Sequence, residues 1–268
     1  MAINAPQSFA ADTLAHRVAS LMPGVDLLLP QGEGPFPVAI QMHGCGGKKK
    51  LQGRWAAVAR AAGWAVVVVD SYAHRGISRL EAYATVCTGL QLWGRERAGD
   101  LYAMLHWARE QPWADPKRIV IAGWSHGAWT TLDAMSMQPG KAMANAARLT
   151  GIPDEPFAGL VGVFLLYPWQ GVGAIAPRAG LRVDVPISAI VGTADSVVGG
   201  KGVIRTLQKM KTPASPIVVE VFEGATHAFD ELEAQDWRNR YDPVLTEKAH
   251  GLYAGFLRSA AERISGLG

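Results

Sequence analysis

The chain has 268 residues, 49% of them hydrophobic and 18% charged, which suits one large α/β unit and excludes a disordered or fibrous chain. The 26 basic and 23 acidic residues leave a net charge of +3, too small an excess to argue for nucleic acid or an anionic membrane as a partner. Only Cys45 and Cys87 are present, which excludes a disulfide scaffold and fits a reducing compartment, and residues 1–15 put no basic residue ahead of an apolar core, so a cytoplasmic protein is expected.

Residues 1–13 are polar and aperiodic and are expected to form a tail, with 14–268 as a single domain. The stretch 14–29 reads as two short strands broken at Pro23-Gly24, or as a helical turn followed by one strand. A strand is expected over 38–42, then the loop His43-Gly44-Cys45-Gly46-Gly47 and a helix over 54–62 that Gly63 stops. Lys48, Lys49 and Lys50 read as a solvated loop. The run AVVVVD at 65–70 is the next strand, and 72–94 shows no clear element, a length that in a compact domain usually carries function. Ala98, Leu101, Tyr102, Leu105 and Ala108 then fall on one face of a helix ended by Pro112.

A strand at 119–122 and a helix at 126–137 flank Gly123-Trp124-Ser125-His126-Gly127. After an irregular or helical insertion at 138–157 come strands at 160–167, 187–191 and 217–222, with helices at 201–210 and 244–264. Strands apolar on both faces, alternating with helices, call for a mainly parallel sheet covered on both sides. The longest mostly apolar stretch, 159–169, is too short to span a bilayer.

The GWSHG turn matches the G-x-S-x-G nucleophile elbow, in which a strained strand-to-helix turn lifts a serine hydroxyl above the sheet. Ser125 at such a turn needs a general base and a group to orient that base. Of seven histidines, His16, His43, His74, His106 and His126 lie too early or inside other elements, and His250 sits at polar spacing in the closing helix. His227, directly after the strand IVVEVF, remains as the base. Asp195 follows a strand at its carboxyl end, where catalytic groups collect in such sheets, and is the first choice of acid; Asp230 and Glu231 are its rivals. Two backbone N–H groups are expected to hold an oxyanion, those of His126 and of Cys45 in the glycine-rich loop. The thiols of Cys45 and Cys87 are read as small apolar fillers.

These residues in this order resemble the dienelactone hydrolase family of the α/β-hydrolase superfamily. The similarity is carried by the HGCGG loop, the VVVVDSY strand end, the GWSHG elbow, the GTADSVV acid loop and the GATHAF histidine loop, together spanning about residues 25–260. The resemblance implies a parallel-rich sheet without a large cap domain and metal-free, cofactor-free hydrolysis of esters or lactones. Ser125 stands where the founding dienelactone hydrolases carry cysteine, so a serine esterase acting on a small ester or lactone is the closer expectation. A peptidase or acyltransferase with the same three residues, and a binding protein with a vestigial site, are the alternatives. Tyr72, Trp93, Trp129 and Trp169 are candidates to line the pocket, and Arg75 either binds a substrate carboxylate or pairs with a local acid such as Glu81. Oligomeric state is not legible.

Overall fold

Period-two alternation inside the apolar runs decides which helices cover which side of the sheet. The computed structural model describes residues 11–233 and 236–263. Its first half runs β1 (Asp12–Thr13), α1 (Leu14–Leu21), β2 (Asp26–Leu28), β3 (Phe36–Met42), α2 (Lys50–Ala61), β4 (Ala65–Val69), α3 (Arg79–Thr85), α4 (Gly94–Arg109) and β5 (Ala114–Trp124). The second half runs α5 (His126–Ser136), α6 (Lys141–Ala147), β6 (Leu149–Thr150), β7 (Leu160–Leu166), α7 (Ala176–Ala179), β8 (Ile187–Gly192), α8 (Gly200–Met210), β9 (Ile217–Phe222) and α9 (Pro243–Ala261).

Seven strands form one sheet in the order β2-β4-β3-β5-β7-β8-β9. Only β2 runs antiparallel to its neighbour; every other pairing in that sheet is parallel. Val38, Ile40 and Met42 of β3 share one face with Ile119 and Ile121 of β5 and pack against α1, α4 and α5. Ala39, Val120, Ala122 and Trp124 point the other way, into a layer closed by Trp55 of α2 and by Tyr253 and Phe256 of α9. Each large side chain buried in these layers contributes roughly 1.5–3 kcal/mol, so the two layers, rather than helix propensity, hold the strands. This is the doubly covered, mainly parallel α/β arrangement expected from the sequence.

Three local expectations are corrected, and between the two readings of 14–29 the helical one holds. Residues 12 and 13 of the expected tail form β1, which pairs with β6 through Asp12↔Leu149 and Thr13↔Thr150, while residues 1–10 lie outside the described part. The segment before Pro23 is helical, because Thr13 caps α1 by accepting from the His16 N–H at 3.2 Å. The stretch 72–94 contains α3, capped by Ser78. That helix buries Ala82 alone and leaves Leu80 and Tyr83 exposed, so it carries no apolar stripe to read. His250 is half-buried with its ring 4.6 Å from that of Trp55, not a solvated surface residue. No helix among the described residues is long and apolar enough to cross a membrane.

Candidate active site

β5 ends at Trp124 and α5 begins at His126, so Ser125 occupies a one-residue corner with φ 48° and ψ −106°. The flanking glycines are steric requirements. A Cβ on Gly123 would lie 2.8 Å from the backbone of Ala128, and one on Gly127 would overlap the Met42 carbonyl at the end of β3. The corner is held by the Ser125 N–H, which donates to the Leu166 carbonyl at 2.9 Å. Among the described residues, five non-glycine positions have positive φ, and four of them, Leu92, Ser125, Tyr167 and Ala228, border this region. Such strain persists where surrounding packing over-determines it, as at functional sites.

The loops after β8 and β9 bring the other two residues in. Thr193 Oγ1 accepts from the Gly224 N–H at 2.9 Å and the Ala194 N–H donates to the Ala225 carbonyl at 3.1 Å, which locks the two loops together. His227 Nδ1 lies 2.8 Å from Asp195 Oδ2, and its Nε2 lies 3.1 Å from Ser125 Oγ. Asp195 is itself fixed, its Oδ1 accepting from the N–H groups of Val197 at 2.9 Å and Val198 at 3.0 Å. With Asp195 on Nδ1, the proton sits on that nitrogen and Nε2 is left to accept from the serine hydroxyl. The Tyr167 ring meets the His227 ring edge-on at 4.7 Å.

The rival acids are engaged elsewhere. Asp230 is buried and accepts from Tyr167 Oη at 2.7 Å, Trp55 Nε1 at 2.9 Å and Trp124 Nε1 at 3.3 Å. Burial raises its carboxyl pKa, with those three donors opposing the rise. Glu231 accepts from Lys49 Nζ at 2.6 Å. Lys49 is therefore not in a solvated loop; its side chain is largely buried in the wall of a cavity it shares with Ser125, and although burial lowers its pKa the partnership with Glu231 carries it above the ordinary value.

Behind the corner lies an assembly that the sequence did not disclose. Arg97 of α4 is fully buried. Its Nε donates to Ser71 Oγ at 2.8 Å, and its Nη1 donates to the His43 carbonyl at 2.7 Å and to His126 Nδ1 at 3.1 Å. Its Nη2 has no partner among the described residues. Because His126 Nδ1 accepts, its Nε2 carries the proton and donates to the Leu92 carbonyl at 2.8 Å. Burial, reinforced by Arg97, pushes the His126 pKa down to about 3, so this imidazole is neutral. His43 is also neutral, held far below the usual range first by burial and then by Arg97; its Nε2 accepts from the Ser71 N–H at 3.2 Å. One guanidinium thus ties the loop before Cys45 to the residue after Ser125. The N–H groups of Cys45 and His126, expected to face an oxyanion, take no acceptor among the described residues.

One turn along α4, Asp100 is fully buried between two other arginines. It accepts from Arg75 Nη1 at 2.7 Å and Nη2 at 2.8 Å, and from Arg17 Nη1 at 2.8 Å. Burial would raise its pKa, but the two guanidinium groups hold it well below the carboxylate range. Arg75 is therefore committed to Asp100 and does not read a substrate carboxylate; the expected local pairing exists, with Asp100 in place of Glu81. Tyr72 is corrected likewise. It is buried and donates from Oη to the Cys45 carbonyl at 2.9 Å, so it shapes the loop and does not line the cavity. Cys45 and Cys87 form a disulfide, so they are not the thiol fillers expected, and cysteine usage is removed as a sign of a reducing compartment. A pairing across 42 residues leaves no local spacing signal.

Two cavities meet at Ser125. One, of about 230 Å³, has Lys49, Gln52, Glu231 and His227 in its wall; the other, of about 150 Å³, is walled by Trp93, Trp129 and Trp169. Three of the four aromatic candidates, Trp93, Trp129 and Trp169, thus lie in the wall of the smaller cavity. A groove of about 560 Å³ between β9 and α9 has neither Ser125 nor His227 in its wall. No group of three or more His, Cys, Asp or Glu is placed to hold a metal among the described residues.

The family model for dienelactone hydrolases matches residues 25–260 of this sequence. The chain belongs to the dienelactone hydrolase family. Solved structures share the fold at low identity. A dienelactone hydrolase from Anabaena variabilis superposes with a TM-score of 0.59 at 18% identity, covering 88% of this chain and 90% of that one. A thermophilic esterase from Thermogutta terrifontis with propionate bound gives 0.62 at 15% identity, covering 91% of each chain. A promiscuous dienelactone hydrolase-like phosphotriesterase from metagenomic libraries gives 0.61 at 14%, covering 88% of this chain and 92% of that one. By sequence, 127 residues are 28% identical to a probable dipeptidyl-aminopeptidase B of Colletotrichum graminicola, which is 46% of this chain and 13% of that protein's length.

Proposed function

We propose that this dienelactone hydrolase-like chain is a serine esterase that cleaves a small carboxylic ester or lactone through an acyl-enzyme on Ser125. The observation that carries the reading is one imidazole, His227, within hydrogen-bond reach of both Ser125 Oγ and Asp195. Ser125 Oγ bonds to the carbonyl carbon as its proton passes to His227 Nε2, and Asp195 keeps the proton on Nδ1 and stabilises the imidazolium. The N–H groups of Cys45 and His126, the second at the positive end of α5, receive the oxyanion. The carbon–oxygen bond then breaks, the leaving oxygen takes the proton from Nε2, and a water repeats the sequence to release the acid. His227 accepts a proton only when neutral, so the rate rises with pH along its acid limb.

Hydrolysis of an amide by the same residues is the second reading, favoured by the partial likeness to a dipeptidyl-aminopeptidase. A fluorophosphonate probe together with short-chain esters and matched aminoacyl amides tests both. Labelling of Ser125 with ester turnover well above amide turnover is expected; dominant amide turnover moves the reading to a peptidase, and an unlabelled Ser125 sinks the proposal.

A further inference from the structure

Resting on that esterase reading, we infer that the two cavities divide the substrate between them: a single aromatic ring on the acyl side and a neutral, hydroxyl-bearing alcohol on the leaving side. The orientation follows from the proton. The departing oxygen must reach His227 Nε2, and His227 is in the wall of the larger cavity and not of the smaller. His126, whose N–H faces the oxyanion in the proposed mechanism, is in the wall of the smaller cavity and not of the larger. The alcohol half therefore occupies the larger arm and the acyl half the smaller. Ser125, Cys45, Cys87 and Val197 belong to both walls, so the Cys45–Cys87 disulfide stands at the junction.

The acyl arm suits a ring by size and by chemistry. Its volume is about 150 Å³, and an apolar protein cavity of about that volume holds one benzene. Its three indoles present ring surface without free donors. Trp93 Nε1 donates to the Gly89 carbonyl at 2.7 Å, Trp129 Nε1 to Asp133 at 2.7 Å and Trp169 Nε1 to the Val172 carbonyl at 3.2 Å. Nothing polar remains on those rings for a ligand to satisfy, and Thr88 in the same wall already donates its hydroxyl to the Ala84 carbonyl at 2.8 Å, so a hydroxylated acyl group entering there would lose most of its hydration uncompensated.

The leaving-group arm is the opposite case. Its volume is about 230 Å³; its buried ion pair, Lys49 Nζ to Glu231 Oε1 at 2.6 Å, is neutral as a unit, and Arg238 in the same wall is paired with Asp236 at 3.4 Å. A mutually neutralised pair offers little net attraction to an ion, yet it presents an ammonium that donates and a carboxylate that accepts. Adjacent hydroxyl groups, each both donor and acceptor, match that pair. The alcohol is accordingly a neutral polyol of the glycerol or sugar type.

The test compares glyceryl monobenzoate with its transposed counterpart, benzyl glycerate, each kcat/KM divided by the ester's hydroxide-catalysed rate constant. Glyceryl monobenzoate is expected to lead by about tenfold or more, the size of effect that one misplaced apolar group produces. Trp169→Ala should lower the benzoyl-to-acetyl preference among glyceryl esters about tenfold. Lys49→Met should lower the preference for glyceryl over ethyl benzoate by a similar factor, about tenfold, as expected for losing a hydrogen bond to a charged group. Equal or reversed rates for the transposed pair in the wild-type protein overturn the inference, whatever the variants do. If Ser125 takes the fluorophosphonate and simple esters turn over while the transposed pair is equal, the hydrolase reading stands and the division of the pocket falls. An unlabelled Ser125 with no ester turnover overturns both.

Discussion

The loops above the sheet and the charged assembly beneath the Ser125 corner serve the same few atoms by different means. Above, His227 and Asp195 come from two loops that each follow a strand directly, and their positions depend on short backbone hydrogen bonds such as Ala194 to Ala225. Below, Arg97 reaches from the first turn of α4 to the β3 loop, the β4 loop and α5, and Asp100 collects arginines from α1 and from the β4 loop. In the proposed mechanism the first region supplies the groups that move protons. The second supplies none, but it fixes where the backbone donors sit. Damage above should therefore appear in the chemical step alone, and damage below in rate and stability together.

The largest effects belong above. In the proposed mechanism Ser125→Ala should cost on the order of 10⁴-fold or more in kcat with the fold intact, and His227→Ala about as much, because members of such a set act as a unit. Asp195→Asn should lose about 10⁴-fold by favouring the wrong imidazole tautomer, as in the serine protease case. Asp230→Asn should instead lower Tm more than kcat, since its oxygens hold Trp55, Trp124 and Tyr167 rather than His227. Steady-state kinetics beside thermal melts separates the two carboxylates; a greater kcat loss from Asp230→Asn would reassign the acid.

Beneath the corner the expected loss is smaller. Arg97→Met breaks the tie between His43 and His126 and should lower kcat on the order of 10²-fold, the cost of misplacing reacting groups by about 1 Å. It should also lower Tm, because three buried acceptors lose their donor. Arg97→Lys, which can keep one or two of those bonds, should recover part of the rate. An Arg97→Met protein with reduced Tm and unchanged kcat would confine this residue to structure.

The contrast also explains what could be read from the chain. That Ser125, Asp195 and His227 come together was legible because topology fixes their order and each sits just past an apolar run that announces itself by composition. Arg97 was not, because one arginine in a helix has the same local signature whether it faces solvent or is fully buried. Its role depends on packing α4 beneath two loops more than 25 residues away in sequence. Arg75 shows the same limit from the other side: its loop position suggested a free cation, and only the burial of Asp100 reveals the partner. The aromatic wall was partly visible, since Trp169 follows a strand end, but Tyr72 in an equivalent position turns to the Cys45 carbonyl instead. Nor did three consecutive lysines signal that one would be buried against Glu231.

A third effect is set by pH. His126, near 3, and His43, also far below the usual range, stay neutral in the folded protein, whereas in the unfolded chain each takes up a proton near pH 6.5. Their contribution is fully present above that pH and is lost as pH falls from about 6.5 toward 3. Asp133, whose burial raises its pKa to about 6, works the other way between about pH 6 and 4, because there the folded state holds a proton that the unfolded state has released. His74, lowered by burial to about 4, acts on the same side as the first two, and these three histidines outweigh Asp133 and Asp230, both raised by burial. Tm should fall by roughly 5–10 °C between pH 7 and pH 5. A flat profile over that range would contradict the neutral states assigned beneath the corner.

The smallest catalytic effect is expected at the link between the regions, the Cys45–Cys87 disulfide. It closes a separation of 42 residues, for which the chain-entropy model gives a stabilisation of about 4 kcal/mol. Its catalytic contribution should be slight, because the Cys45 loop keeps other ties: Tyr72 Oη on the Cys45 carbonyl at 2.9 Å, the Gly47 N–H on the Gly44 carbonyl at 3.2 Å and Arg97 on the His43 carbonyl at 2.7 Å. The N–H proposed for the oxyanion belongs to the backbone and survives replacement of the side chain. Cys45→Ala/Cys87→Ala, or the wild-type protein under reductant, should therefore melt markedly earlier while kcat falls only a few-fold, about 1 kcal/mol in the barrier. Melting curves and kinetics with and without reductant check both halves of the statement. A Tm indifferent to reductant would mean the cross-link stabilises nothing. Lost turnover in a folded double variant would show that the sulfurs, and not only the loop's hydrogen bonds, hold the donor in place.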